Sequence, residues 1–281
     1  MTKVFNHFQI GKTNCCSELK DARILVTGPS LIKVFSLVDH EEIKDIPNED
    51  ENFESLFIAD EDAFFVASDK GLKQFSLPNF ALTKVHEPGS IVRCVAFLQS
   101  KNAVLFSDGQ RLLSLDLSTS HVREFDGKHG EDILSIAVSP DEKSVFTTGS
   151  DQTLKKWDAG SSGLLSSTDL QSQGRTLYVQ EHTHSLFVGL ESGRLEEFSL
   201  EDLSGLKTIT YDGEGITRVV RLSSGGTLAS SDAGNVYFPF RNNVPIKICD
   251  QKINWISEIS DESIGCCSED GFRIFAFLPE D

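Results

Sequence analysis

The sequence predicts an all-β chain made from one short unit used seven times, and three observations predict it. Bulky residues in a shared local setting recur at Phe35, Phe75, Leu115, Trp157, Phe198, Phe238 and Phe275, with gaps of 40, 40, 42, 41, 40 and 37 residues. Within the units, short runs alternate apolar and polar side chains with period two, as half-buried strands do. Turn formers separate the runs. A period near 40 with about four strands per unit is the pattern of a β-propeller, whose blades cannot bury their faces alone. The expectation is a single domain over residues 1–281: a seven-bladed propeller with four antiparallel strands per blade.

The fourth repeat justifies the blade element by element. Leu134, Ile136 and Val138 fall on one strand face, Ser135 and Ala137 on the other. Ser139, Pro140 and Asp141 then turn the chain, since proline presets φ while Ser and Asp bond nearby backbone. A second strand runs through 145–148, a tight turn sits around Asp151, 153–158 is the third strand and 164–170 the outer one. Other repeats follow the plan with other letters: 66–75 reads VASDKGLKQF, 228–238 reads LASSDAGNVYF and 266–275 reads CCSEDGFRIF. Asp69, Asp151 and Asp232 each precede the closing residue by six positions. Asp270 precedes Phe275 by five, which predicts a last turn one residue shorter.

Ring closure tests the count. The seventh repeat supplies strands near 253–259, 263–268 and 272–277 and lacks an outer one. Residues 3–10 are left over, with Val4, Phe8 and Ile10 on one face, and are expected to form the outer strand of blade seven and lock the ring.

Composition fits an intracellular all-β domain. The chain has 281 residues, 39% hydrophobic, which is enough for a large core. The start, MTKVFNHFQIGKTNCC, has no apolar run of signal-peptide type, no window approaches a membrane span, and no Asn-x-Ser/Thr occurs. A cytoplasmic or nuclear location is expected. Cys15–Cys16 and Cys266–Cys267 are neighbours in strands, where successive side chains point to opposite faces, so buried reduced thiols are expected rather than disulfides.

The net charge of −17 works against gripping nucleic acid, which needs Lys and Arg to displace counterions. Acidic runs occur at 49–51, 60–62, 201–202, 212–214 and 261–262. A solvated surface is the plain reading. The sharper one has Glu49, Asp50, Glu51, Asp212 and Glu214, on loops entering the inner strands, capture a basic peptide or basic subunit.

Residues 127–158, GKHGEDILSIAVSPDEKSVFTTGSDQTLKKWD, resemble a WD repeat, and the spacing extends the resemblance over the chain. In that family a His before the inner strand, a Ser or Thr on the second strand, an Asp in the next turn and the Trp indole form a hydrogen-bonded set. The resemblance places it on His129, Thr147, Asp151 and Trp157 as a structural tetrad, with Thr148 as the competitor for Thr147. A catalytic His–Asp reading needs a nucleophile, and Ser150 stands beside the Asp in a tight turn, unsuited to a triad. Phe or Leu replaces Trp in the other repeats. Without the indole donor the same network cannot close, so those blades are expected to rely more on apolar packing.

Other constellations are weak. His182 and His184 offer two metal nitrogens in a hairpin turn with no third ligand. Gly213-Glu214-Gly215 lacks the third glycine of a phosphate loop and leads into a strand. Neither Cys-x-x-Cys nor a compact Cys/His set occurs, so no cofactor, metal or catalytic residue is expected. The resemblance implies a non-catalytic scaffold or adaptor subunit of a multiprotein complex. A reader of basic linear peptides and a ubiquitin-ligase substrate receptor are the alternatives. The receptors often carry Arg or Lys two positions after the Trp-Asp pair, where this chain has Gly160. Expected partners are other proteins, with no nucleic acid, membrane or small-molecule substrate.

Overall fold

The computed structural model describes residues 2–277 except 20, 60, 61, 78, 88, 212, 240–243, 261 and 262, with backbone alone at 2–6, 47–50, 260 and 277. The fold is all-β: strand makes up 62% of it, and no α-helix occurs among the described residues. The strands form five antiparallel sheets of four and one of six, a propeller-like arrangement.

Four of the four-stranded sheets run in chain order. They are Val95–Leu98 to Val122–Glu124, Ile133–Val138 to Leu164–Asp169, Gly174–Gln180 to Gly205–Thr210, and Ile216–Arg221 to Ile246–Lys247. The six-stranded sheet spans two sequence repeats. In its strand Glu42–Ile58, residues 42–47 pair with 31–35 while 53–58 pair with 64–68, so one strand ends the first repeat and opens the second. Arg23–Ser36 is continuous but not straight. Fourteen extended residues reach roughly 46 Å, yet the Leu37 N–H donates to the Ala22 carbonyl at 2.8 Å. The run therefore folds back on itself, with Ser30 in the left-handed region at φ 55.

Burial falls from the second strand of a sheet to its outer one. Second strands such as Ala103–Asp108 and Ser185–Leu190 are buried throughout, while outer strands Leu82–His86 and Val122–Glu124 are almost wholly exposed. A continuous apolar run suits a strand covered on both faces. The covers come from neighbouring repeats. Leu105 and Leu112 of the third repeat share one cluster with Ile133, Val145 and Trp157 of the fourth. Inner strands touch in sequence, Cys15–Leu19 against residues 53–58, then Val95–Leu98, Ile133–Val138, Gly174–Gln180, Ile216–Arg221 and Ile253–Ser260. The last touches the first.

Phe35, Phe75, Leu115, Trp157, Phe198 and Phe275 are all buried. Each large side chain withdrawn from water contributes about 1.5–3 kcal/mol, so they anchor the interfaces between sheets. The sixth repeat is offset by one. Ser231 faces Ile216 as Ser68 faces Phe53, but the pairing of Ala229 with Tyr237 carries the closing position to Pro239. Pro239 is buried and Phe238 only partly so.

The N-terminal strand is Thr2–Phe8, paired antiparallel with Gly271–Phe277 from Thr2↔Phe277 to Phe8↔Phe272, with a bulge between Val4 and Asn6. It completes the sheet of Ile253–Ser260 and Ser263–Ser268. The strand is shifted from the expected 3–10. Ile10 lies beyond its end, where its N–H bonds the Phe8 carbonyl, and still packs on the same apolar cluster. The side chain of Val4 lies outside the described residues. The last turn, 269–270, is one residue shorter than 150–152 and 232–234 but equal to 69–70, with Glu269 standing where Asp69 stands.

Candidate functional site

In the fourth repeat the indole, hydroxyl, imidazole and carboxylate form one chain of hydrogen bonds. Trp157 Nε1 donates to Thr147 Oγ1 at 2.8 Å, and Thr147 Oγ1 lies 2.7 Å from His129 Nε2. The hydroxyl has one hydrogen and already accepts from the indole, so it donates to Nε2 and leaves the proton of a neutral imidazole on Nδ1. Nδ1 donates to Asp151 at 3.0 Å. Asp151 also accepts from the Gly130 N–H at 2.8 Å and from the Thr153 N–H and hydroxyl. Thr148 takes no part, because its hydroxyl donates to the Thr153 carbonyl.

The electrostatics match this neutral tautomer. Burial pulls the His129 pKa below its ordinary value, against the opposing pull of Asp151. Burial works to raise the Asp151 carboxyl, but hydrogen bonds from His129 and Gly130 outweigh it and hold the carboxyl low. Every polar group in the set is consumed by another. The product is a pin joining the 128–130 entry loop to the 149–153 turn, with no hydroxyl left to attack a substrate.

The second, sixth and seventh repeats build polar sets with different letters, beside the apolar packing expected of them. In the second, buried Glu51 accepts from the Ser68 hydroxyl and pairs with Lys73. In the sixth, Glu214 accepts from Ser231 at 2.8 Å, from Asn235 at 2.8 Å and from the Tyr237 hydroxyl at 2.6 Å. Burial raises the Glu214 carboxyl, but these donors prevail and hold its pKa below the ordinary value. In the seventh, Arg273 bonds Ser268 and Asp270 at 2.8 Å each.

Glu51 and Glu214 thus each bond donors of their own repeat. The Glu51 carboxylate can leave water because its repeat supplies matched donors. The side chains of Glu49 and Asp50, and all of Asp212, lie outside the described residues. The sequence held a signal for these sets: Glu51 to Ser68 and Glu214 to Ser231 are both spaced by 17 residues.

No family model matches the chain, and no curated protein does. Function therefore rests on the chemistry of the surfaces.

A cleft of about 480 Å³ opens between the third and fourth repeats, lined by Leu98, Lys101, His121, Arg123 and Phe125 among others. Its cations are occupied. Lys101 bonds the Ala159 carbonyl, and Arg123 bonds the carbonyls of Gly160 at 3.2 Å and Ser161. His182, Thr183 and His184 form the turn between Gly174–Gln180 and Ser185–Leu190, and no group of three metal-ligating side chains occurs among the described residues. All six cysteines are free and buried.

Proposed function

We propose that this chain is a closed seven-bladed propeller of the WD-repeat kind, acting as a non-catalytic scaffold or adaptor subunit of a multiprotein complex in the cytoplasm or nucleus. The cyclic order of inner-strand neighbours supports the ring, with the six-stranded sheet counted as two blades and the N-terminal strand as the outer strand of the last. Six buried free thiols suit a reducing compartment.

One observation carries the scaffold reading: the exposed large apolar side chains gather on outer strands. Ile43, Leu82, Val85, Val122, Leu164, Leu165 and Leu206 sit on the outer strands of repeats one to five and are 39–56% exposed. Scattered exposed apolar residues are ordinary. Their recurrence at one structural position gives a rim on which partners can bury surface.

Affinity purification from the native cell tests this. A reproducible set of stoichiometric companions, lost with Leu164→Glu/Leu165→Glu and persistent in high salt, is expected. A chain that purifies alone would refute the subunit reading.

A further inference from the structure

Arg218 differs from six other arginines in how its charge is met. Arg23, Arg93, Arg111, Arg175, Arg194 and Arg273 each face a carboxylate. Arg218 lies on the inner strand Ile216–Arg221, and its guanidinium carbon stands 3.5 Å from the centroid of the Trp255 ring on the inner strand Ile253–Ser260. The ionisable groups acting on it are the thiols of Cys15 and Cys16, and none is a carboxylate. Burial lowers its pKa to about 10, so it keeps its charge at neutral pH.

Two donors at this place go unanswered. Arg218 Nε and Trp255 Nε1 are both buried and both lack a hydrogen-bond partner. Each can only donate, and a buried donor without an acceptor costs free energy that native folds seldom leave uncompensated. Both residues are half-buried as wholes, and the two donor atoms are the parts of them withdrawn from solvent. A guanidinium whose carbon stands over an indole ring has N–H donors that can meet planar oxygen pairs in bidentate fashion.

We propose that Arg218 and Trp255 form a binding site for a small oxyanion, a carboxylate or phosphate group, at the inner strands of the sixth and seventh repeats. The cation supplies attraction, the stacked ring fixes its plane, and the two orphaned N–H groups supply donors. The site stands independently of the scaffold reading and gives an acidic chain one place that selects negative charge.

Trp255 reports on the site by fluorescence, and Trp157, the only other tryptophan, is fully buried in the fourth repeat and gives a steady background. The full chain is titrated with inorganic phosphate, with acetate and with chloride at matched ionic strength. Phosphate or acetate should give a saturable change with a midpoint near or below about 1 mM, chloride none, and whichever oxyanion acts identifies the group preferred. Arg218→Gln and Trp255→Phe should abolish it, and Arg218→Lys should weaken it at least about tenfold, since a point charge lacks the planar fork. Equal responses to all three salts, no saturable response in the wild-type chain, or an unchanged response in Arg218→Gln would each overturn the proposal. Should Arg218→Gln fail to fold, the wild-type titration and Arg218→Lys still decide it.

Discussion

Trp157 and His129 never touch by hydrogen bond, yet each bonds the same Thr147 oxygen, at 2.8 and 2.7 Å. One hydroxyl joins the third strand of the fourth repeat to its entry loop. Trp157→Phe keeps the edge-on ring contact with Phe125 but removes the donor. It should lower stability by about 1–3 kcal/mol, read as a lower urea midpoint with the far-UV spectrum unchanged. Loss of all folded signal would show that the network carries more than one bond's worth of the fold.

Acid should weaken the same pin. The His129 pKa lies below its ordinary value of 6.5 in the folded chain, chiefly through burial. The unfolded chain therefore takes up a proton first as pH falls below about 6.5, and stability present above that pH is lost on the way down to the folded value. Asp151, also held low, adds a second loss at pH below its unfolded value of about 3.8. Urea unfolding between pH 7.5 and 5 should show a falling free energy. The fall should be shallower in His129→Asn, and an equal slope in both would remove His129 from the explanation.

Glu51→Gln should be severe for a residue that reads as surface. It leaves Lys73 facing an uncharged amide at a position where the two side chains are only 2% and 10% exposed. Breaking one side of such a pair costs roughly 3–5 kcal/mol. Replacing both partners by apolar residues should cost less than the single change, and a double-mutant cycle in urea measures it.

Gly271→Ala should act on the N-terminal strand from a distance in sequence. Gly271 has φ 141, in the left-handed half of the map, and a Cβ there would collide with the Phe8 carbonyl. The clash and the backbone strain together should cost about 1–3 kcal/mol or more. The same change in a chain already lacking residues 1–10 should cost less, because the obstructing carbonyl is gone. Equal costs in both backgrounds would separate Gly271 from the strand.

The sequence made the architecture legible where one side chain must be large and buried. Phe35, Phe75, Trp157 and Phe275 mark the sheets because a buried closing position favours a large apolar side chain. Phe238 misled by one residue, since the turn of 232–234 is longer than its counterpart at 69–70 and passes the position to Pro239. The donors that meet Glu51 and Glu214 were not legible, because an acid in an entry loop reads as wet until they are known. Lys73 lies 22 residues from Glu51 and Tyr237 lies 23 from Glu214. Only a strand ladder brings them together. Arg218 and Trp255 carried no sequence signal, as their stacking joins two repeats.

The N-terminal strand gives the most direct test of the closed ring. Phe8 sits with ring centroids 4.5 Å from Phe35 of the first repeat and 5.8 Å from Phe272 of the seventh. Removing residues 1–10 deletes that bridge together with the ladder to Gly271–Phe277. Several ladder bonds at about 1 kcal/mol each, with the apolar area of Phe8 added, should lower the melting temperature by on the order of 10 °C. A truncated chain that melts at the same temperature as the intact one would contradict the closed ring.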